Sequence, residues 1–408
     1  MTYPSIIWIT TDLTDILFYG LIINNRAKRK SDERAVMVIS PNKLTINLES
    51  LVYNLEQIKS CIEKETKIMG VVKSDAYGHG LVPVSKTLEK KEVYCLGVSY
   101  LEEALELRKE GIRTPIIILC GIKTDEEAAA VVENALTPVI FDSGSAKKLE
   151  KTARARGKKV KIHIKIDTGM GRLGINCNET IDFLKDISKF DFLDTEALMS
   201  HLSSADEEDR NFTQSQIDKF KNIVTEARRM GMELNLNHLA NSAGIVTYKD
   251  SHFDMVRPGI MLYGGLPSPG FSTEVKLRPV MGLKGRILQI RNFENNTPVS
   301  YGRAYYTDGA KKVAIISAGY ADGIPRCLSN RGRVLVGGKP ADIKGNICMN
   351  MLACDITGME NIKVGNECVI MGSQTGETIT ADCIAGLCNT ISYEIFLSIG
   401  RSLEREYI

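Results

Sequence analysis

The sequence predicts an α/β protein in which an N-terminal (β/α)8 TIM-like barrel precedes a C-terminal, mostly β domain. Three observations predict it. From about residue 45, short apolar runs alternate with helix-like stretches over roughly 220 residues, close to the ~250 usual for such a barrel. Beyond about residue 277 the runs become short and β-like, separated by Gly, Pro, Asn and Asp. The residues best suited to chemistry fall where the apolar runs end, the face on which a barrel carries its site. An open, doubly wound sheet is the structural alternative, because alternation alone does not prove closure.

In chain order, residues 1–40 form an N-terminal extension, 41–277 the barrel and 278–408 the β domain. Within the extension, 16–23 is apolar, but Asp12 and Asp15 interrupt any longer span and argue against a membrane helix. Arg26, Lys28, Arg29 and Lys30 follow the apolar part, the wrong order for a secretory signal. Two readings of this segment stay open: a packed or weakly ordered extension, or a physiological start at Met37. A helix-like stretch 49–64 leads to a first strand at 68–72. Seven more strands are expected at 94–98, 115–120, 137–141, 160–166, 197–200, 234–239 and 254–257, with helical patterns such as 100–111, 125–135, 143–156 and 213–230 between them. The β domain offers strands at 282–289, 312–318, 333–336, 341–343, 351–355 and 367–371, then a helical stretch 380–387 and an apolar run 391–399.

Composition narrows the function classes. With 43% hydrophobic and 25% charged residues the chain has enough apolar material for a sizeable core. Its 52 basic and 50 acidic residues leave a net charge of +2, which implies no nucleic-acid surface. The ten cysteines show no paired metal spacing, and in the absence of a secretory signal they read as reduced thiols of a cytoplasmic protein.

The chemistry gathers at strand ends. Lys73 follows the first strand, where a partly desolvated amine would be a nucleophile or base; the plain alternative is a lysine reaching out to water. The run Asp167 to Arg172 follows strand five, His201 strand six, Asn241-Ser242-Ala243-Gly244 strand seven, and Arg257-Pro258-Gly259-Ile260 ends strand eight. Small residues after strands seven and eight suit a phosphate, cradled by the N–H groups of Ser242, Gly259 and Ile260 and by the Ser242 hydroxyl. A phosphorylated cofactor across the barrel mouth with a lysine nearby fits pyridoxal 5'-phosphate.

The chain resembles the alanine racemase family, from about Asn42 to the C-terminus. The resemblance rests on motifs in the family's order: Val71 to Gly80, Lys165 to Gly174, His201 to Glu207, Asn241 to Gly244, Val256 to Gly264, Val299 to Gly302, Gly319 to Gly323 and Ile347 to Met349. It implies a pyridoxal-phosphate enzyme acting on L- and D-alanine as a homodimer with shared active sites. Lys73 then carries the cofactor and acts as the base on the D side. Tyr301, donated by the partner chain, is the base on the L side. Racemisation independently needs two bases, since the proton leaves one face of Cα and returns on the other. Tyrosine, with an ordinary pKa of about 10, needs help at neutral pH, and His201 matches the histidine that hydrogen-bonds it. Arg257 matches the arginine at the cofactor's ring nitrogen. Tyr77, Ser242, Gly259, Ile260 and Tyr393 match phosphate-binding positions, and Arg172 and Met349 positions at the substrate carboxylate. Lys165 matches a lysine often carbamylated in this family, and Tyr320 a tyrosine at the mouth of the substrate channel.

Two positions depart from the pattern: Ser74-Asp75 stands where Ala-Asn is common, and Asn350 where the family usually has Asp. The expected function is alanine racemisation supplying D-alanine for peptidoglycan. The alternatives are a serine or broad-specificity racemase of the same fold, a related decarboxylase or aldolase, and a non-enzymatic cofactor-binding protein. A decarboxylase of this fold usually sets a carboxylate where Arg257 stands, and an aldolase needs a metal for which no ligand set is evident.

Overall fold

The computed structural model describes residues 40–408, so the readings made for the extension, including a start at Met37, lie outside the described residues. The first nine strands are β1 (Lys43–Ile46), β2 (Lys67–Val71), β3 (Cys95–Val98), β4 (Ile116–Ile118), β5 (Thr137–Ile140), β6 (Val160–Asp167), β7 (Ile175–Asn176), β8 (Leu193–Met199) and β9 (Met255–Val256). β2 to β6 pair in parallel and in order, and β8 joins β6. His238 then bridges Met199 of β8 to Met255 of β9, and β9 returns to β2 with Lys67 opposite Met255. Eight parallel positions close on themselves, which excludes the open sheet. β3, β4 and β5 are buried along their whole length, as expected of strands sandwiched between a filled lumen and covering helices. Met69, Cys95, Ile117, Val139, Met199 and Met255 pack together as one buried cluster drawn from strands all round the barrel.

The seventh position differs from expectation. The segment 234–239 contributes only one bridging residue, His238, which pairs with Met199 on one side and Met255 on the other, instead of a strand. The reason is the buried Asn237, whose side chain accepts the Leu198 N–H at 3.0 Å and donates to the Leu234 carbonyl at 3.1 Å. Its backbone N–H goes to Asp254 Oδ2 at 2.9 Å, so side chains take over the partners a ladder would have used.

The remaining strands are β10 (Met281–Phe293), β11 (Pro298–Val299), β12 (Tyr305–Tyr306), β13 (Lys311–Ile316), β14 (Arg333–Val336), β15 (Lys339–Asp342), β16 (Leu352–Asp355), β17 (Glu367–Gln374), β18 (Glu377–Ile379) and β19 (Arg405–Tyr407). They form a second sheet ordered β15-β14-β17-β10-β1-β19, with β13 and β16 continuing from β10, β18 pairing β17, and β11 and β12 as a separate hairpin. β1 therefore corrects the boundary drawn at residue 41. Its Lys-Leu-Thr-Ile alternation buries Leu44 and Ile46 against the C-terminal sheet, antiparallel to β10 and parallel to β19. Two helices, Ala381–Cys388 and Ser392–Gly400, close this part, the first capped by Thr380, whose hydroxyl accepts the Cys383 N–H. Among the described residues no single helix is long and apolar enough to cross a membrane, and no group of three His, Cys, Asp or Glu is placed to hold a metal.

Candidate active site

Lys73 stands two residues past the end of β2, where the chain does something the sequence did not announce. Ser74, Asp75, Ala76 and Tyr77 all have φ between 51° and 57°, one turn of left-handed helix. Left-handed backbone costs L-residues roughly 1–2 kcal/mol each, so the surroundings must impose it. Glu103 Oε1 accepts the N–H of Ser74 at 2.5 Å and of Asp75 at 3.4 Å, while its Oε2 accepts the Ser99 N–H at 2.8 Å. Asp75 pairs with Arg405 and accepts the Leu81 N–H at 2.7 Å, starting the next helix. The Ser74-Asp75 departure is thus built into this turn. A Cβ on Gly78 would lie 2.6 Å from the Phe396 carbonyl, so the turn is seated directly on the helix Ser392–Gly400.

The turn aims Lys73 and Tyr77 into a cavity of about 710 Å³ at the carboxyl ends of the barrel strands. Tyr77 stacks on Tyr263 with centroids 4.8 Å apart, and Tyr263 is anchored by its hydroxyl on the Val71 carbonyl at 2.8 Å. Tyr393 lies 5.8 Å from Tyr77 and lines the same cavity. Ser242 opens a short helix capped by Asn241, and its Oγ accepts the Gly259 N–H at 3.0 Å. That bond ties the two small-residue segments together and leaves the hydroxyl's own proton for another acceptor. Glycine at 259 gives the Tyr77 hydroxyl its place, because a Cβ there would sit 2.5 Å from it and one of the two would have to shift. Ile260 completes this side of the cavity.

Cations fill the opposite side. Arg257 is 4% exposed; its Nη1 donates to His238 Nδ1 at 2.8 Å, and its Nη2 to the Ser200 carbonyl at 2.7 Å, the Leu239 carbonyl at 3.0 Å and His201 Nδ1 at 3.2 Å. Burial pushes it down to about 9, leaving it charged at neutral pH. Among the described residues its Nε–H has no hydrogen-bond partner. Lys165, 6% exposed, is pushed down to about 8 by burial and by the charges of Arg257, Arg172 and Lys73. Burial and then Arg172 likewise lower Lys73. Burial and the same cations hold His201 neutral; since its Nδ1 accepts from Arg257, its proton is on Nε2. Arg172 lines the rim.

Among the described residues no Asp or Glu lines this cavity. Four cations facing one space without a counter-charge destabilise one another unless an anion enters. A phosphorylated aldehyde fits that donor set, with an amine for the aldehyde carbon, hydroxyls and a glycine-lined corner for the phosphate, and an unpartnered guanidinium N–H for a ring nitrogen.

Three expected residues are absent from the cavity. Tyr301, Tyr320 and Met349 lie on the C-terminal domain, 73%, 44% and 56% exposed. They share one surface, because Asn346 Nδ2 donates to the Tyr301 carbonyl at 2.7 Å and the Tyr320 N–H to the Cys348 carbonyl at 3.0 Å. His201 makes no bond to Tyr301 within the chain among the described residues. Asn350 stands exposed beside Met349. Sequence reasoning overlooked Glu103, Arg405 and His238. Only His238 carried a local signal, as an imidazole inside an apolar run; the other two matter through contacts 28 to 330 residues away.

The comparisons agree with this architecture. Residues 46–267 match the family model described as alanine racemase, N-terminal domain, and 280–407 match the alanine racemase C-terminal domain. The chain is 41% identical over 371 residues to alanine racemase 2 of Caldanaerobacter subterraneus subsp. tengcongensis, covering 91% of this chain and 95% of that one. It is 42% identical to the alanine racemase of Syntrophobacter fumaroxidans over 88% of this chain and 95% of the relative. Among solved structures, the alanine racemase of Clostridium difficile 630 superposes with a TM-score of 0.83 at 36% identity, covering 91% and 96% of the two chains. That from D-cycloserine-producing Streptomyces lavendulae gives 0.85 at 32% identity over 91% and 98%. A closed eight-position barrel, a C-terminal sheet and matches to both family domains over 46–267 and 280–407 place the chain in the alanine racemase family.

Proposed function

We propose that the chain interconverts L- and D-alanine with pyridoxal 5'-phosphate and that the product D-alanine serves peptidoglycan synthesis in the cytoplasm. The observation that carries the reading is the carboxylate-free cavity in which Lys73, Lys165, Arg172 and Arg257 face the Tyr77–Ser242–Gly259–Ile260–Tyr393 corner. When bound, pyridoxal phosphate withdraws electrons from the amino acid's Cα and acidifies its C–H. Lys73 would carry the cofactor, and its lowered pKa makes the neutral Nζ accessible to take the Cα proton of D-alanine or to return it. The opposite face needs a second base, supplied by Tyr301 of the partner subunit. Exposure of Tyr301, Tyr320 and Met349 away from their own chain's cavity supports a homodimer with shared sites. His201, fixed with its proton on Nε2, is suited to donate to that tyrosine's oxygen and favour its ionised form. Arg257 can only donate, so it would leave a ring nitrogen unprotonated and moderate the electron sink, which disfavours transamination. Arg172 and the Met349 N–H of the partner subunit would hold the substrate carboxylate. Lys165, near pKa 8 and without a hydrogen-bond partner among the described residues, is reactive enough for carbamylation, which would turn it into a partner for Arg172. Tyr320 would border the substrate channel.

The test uses purified protein: its visible absorbance, then chiral chromatography after incubation with L-alanine or L-serine. A cofactor band lost in Lys73→Ala, with alanine turned over faster than serine, is the expected result. Faster serine turnover would move the substrate, and a bound cofactor with no turnover of either would overturn the racemase reading.

A further inference from the structure

Behind Arg257 a line of hydrogen bonds runs down the barrel axis, away from the cavity. Arg257 Nη1 reaches His238 Nδ1 at 2.8 Å, His238 Nε2 reaches His163 Nδ1 at 2.9 Å, and His163 Nε2 reaches Glu196 Oε2 at 3.3 Å. Glu196 also pairs with Lys161, and both border a second cavity of about 410 Å³ whose other walls include Tyr94, Arg108 and Arg113. Both imidazoles are fully buried, their rings 5.0 Å apart, and His238 is also the residue that closes the barrel between β8 and β9.

The two ends of this line dictate everything between. A guanidinium can only donate, so His238 Nδ1 must be bare and its proton sits on Nε2. An ionised carboxylate can only accept, so His163 carries its proton on Nε2 and leaves Nδ1 bare. The middle bond then has one donor and one acceptor, with no conflict. A second proton on either ring would set two N–H groups face to face. All three bonds therefore point the same way, from Arg257 to Glu196, in a dry lumen where such chains polarise one another.

We infer that Glu196 is a positioning residue for Arg257, acting through His163 and His238 across the length of the barrel. The carboxylate fixes both tautomers, so Nη1 of Arg257 stays committed to the lumen and its Nε–H stays turned to the cofactor cavity. It also serves as the distant counter-charge for a guanidinium that, among the described residues, no nearer carboxylate touches. Burial acts in the same direction, since both imidazoles are held below their ordinary pKa and thus neutral, while the bonds from His163 and Lys161 keep Glu196 ionised against its own burial. The inference rests on the reading of Arg257 as the cofactor-ring partner.

The test begins with the unmodified holoenzyme labelled with 15N-histidine. Long-range 1H–15N correlations distinguish tautomers, and His163 and His238 should both be neutral with the proton on Nε2, in exchange-protected N–H groups. A proton on Nδ1 of either, or an imidazolium at neutral pH, overturns the inference without any variant having to fold. Glu196→Gln then removes the charge at nearly constant shape. It should alter the nitrogen shifts of both histidines, displace the cofactor's absorbance maximum, and lower kcat about tenfold with KM within about twofold. An unchanged absorbance maximum with unchanged kcat would overturn it. Loss of racemisation in the unmodified enzyme would instead sink the functional reading, while the tautomers would stand as measured.

Discussion

Lys165 shows how much of this site is determined by what surrounds a single side chain. Its folded pKa, about 8, lies below the 10.5 of an unhindered lysine, so the unfolded chain binds the proton more tightly than the folded one. The sign follows: the penalty is complete below pH 8, fades as pH rises, and is gone above 10.5. In cofactor-free protein the melting temperature of wild type relative to Lys165→Met should therefore rise between pH 8 and 10.5. A flat difference would mean that Lys165 is already neutralised, by carbamylation or by a bound anion. Comparing the two proteins cancels the buried thiols and phenols that titrate in the same range. Gly259 makes the complementary point about space. Gly259→Ala drives a methyl into the Tyr77 hydroxyl, so pyridoxal phosphate should bind at least roughly tenfold more weakly while the fold, read by circular dichroism, is retained. Unchanged affinity would show that Tyr77 swings aside at no cost.

Among elements, the left-handed turn Ser74–Tyr77 and the vestigial seventh strand mark the limits of reading a sequence. The position of Lys73 after an apolar run, and the small residues at Ser242 and Gly259, were legible because strand ends and glycine placement are local signals. The handedness of Ser74–Tyr77 was not. Of those four only Asp75 is of a type at all enriched at positive φ, and the turn exists because Glu103, 29 residues on, and Arg405, 330 residues on, hold it from outside. The segment 234–239 read as a strand by its apolar pattern, but Asn237 diverts its ladder bonds to side chains. β1 was missed for a related reason. Four residues with clear alternation say which face is buried, yet not that their partners lie some 240 and 360 residues later.

For the whole molecule, the separation of Tyr301 from the Lys73 cavity makes complementation the decisive experiment. Lys73→Ala and Tyr301→Phe homodimers should each be nearly inactive. After exchange of subunits, half the dimers are hybrids with one intact site of two, so activity should return to about a quarter of wild type. No recovery would mean that each chain completes its own site. The sheet carries a further implication, for synthesis. β1 is made early, but it lies between β10 and β19, and the Ile408 N–H donates to the Ile46 carbonyl at 2.9 Å. Arg405, in that same last strand, is the partner that holds Asp75 in the lysine turn. A chain made only as far as residue 257 can assemble the barrel wall from residues 67–257, but it cannot yet brace the turn that carries Lys73 or fill the edge of β1. Barrel closure and completion of the cradle around Lys73 are therefore separate events, the second waiting on a strand some 330 residues further along the chain.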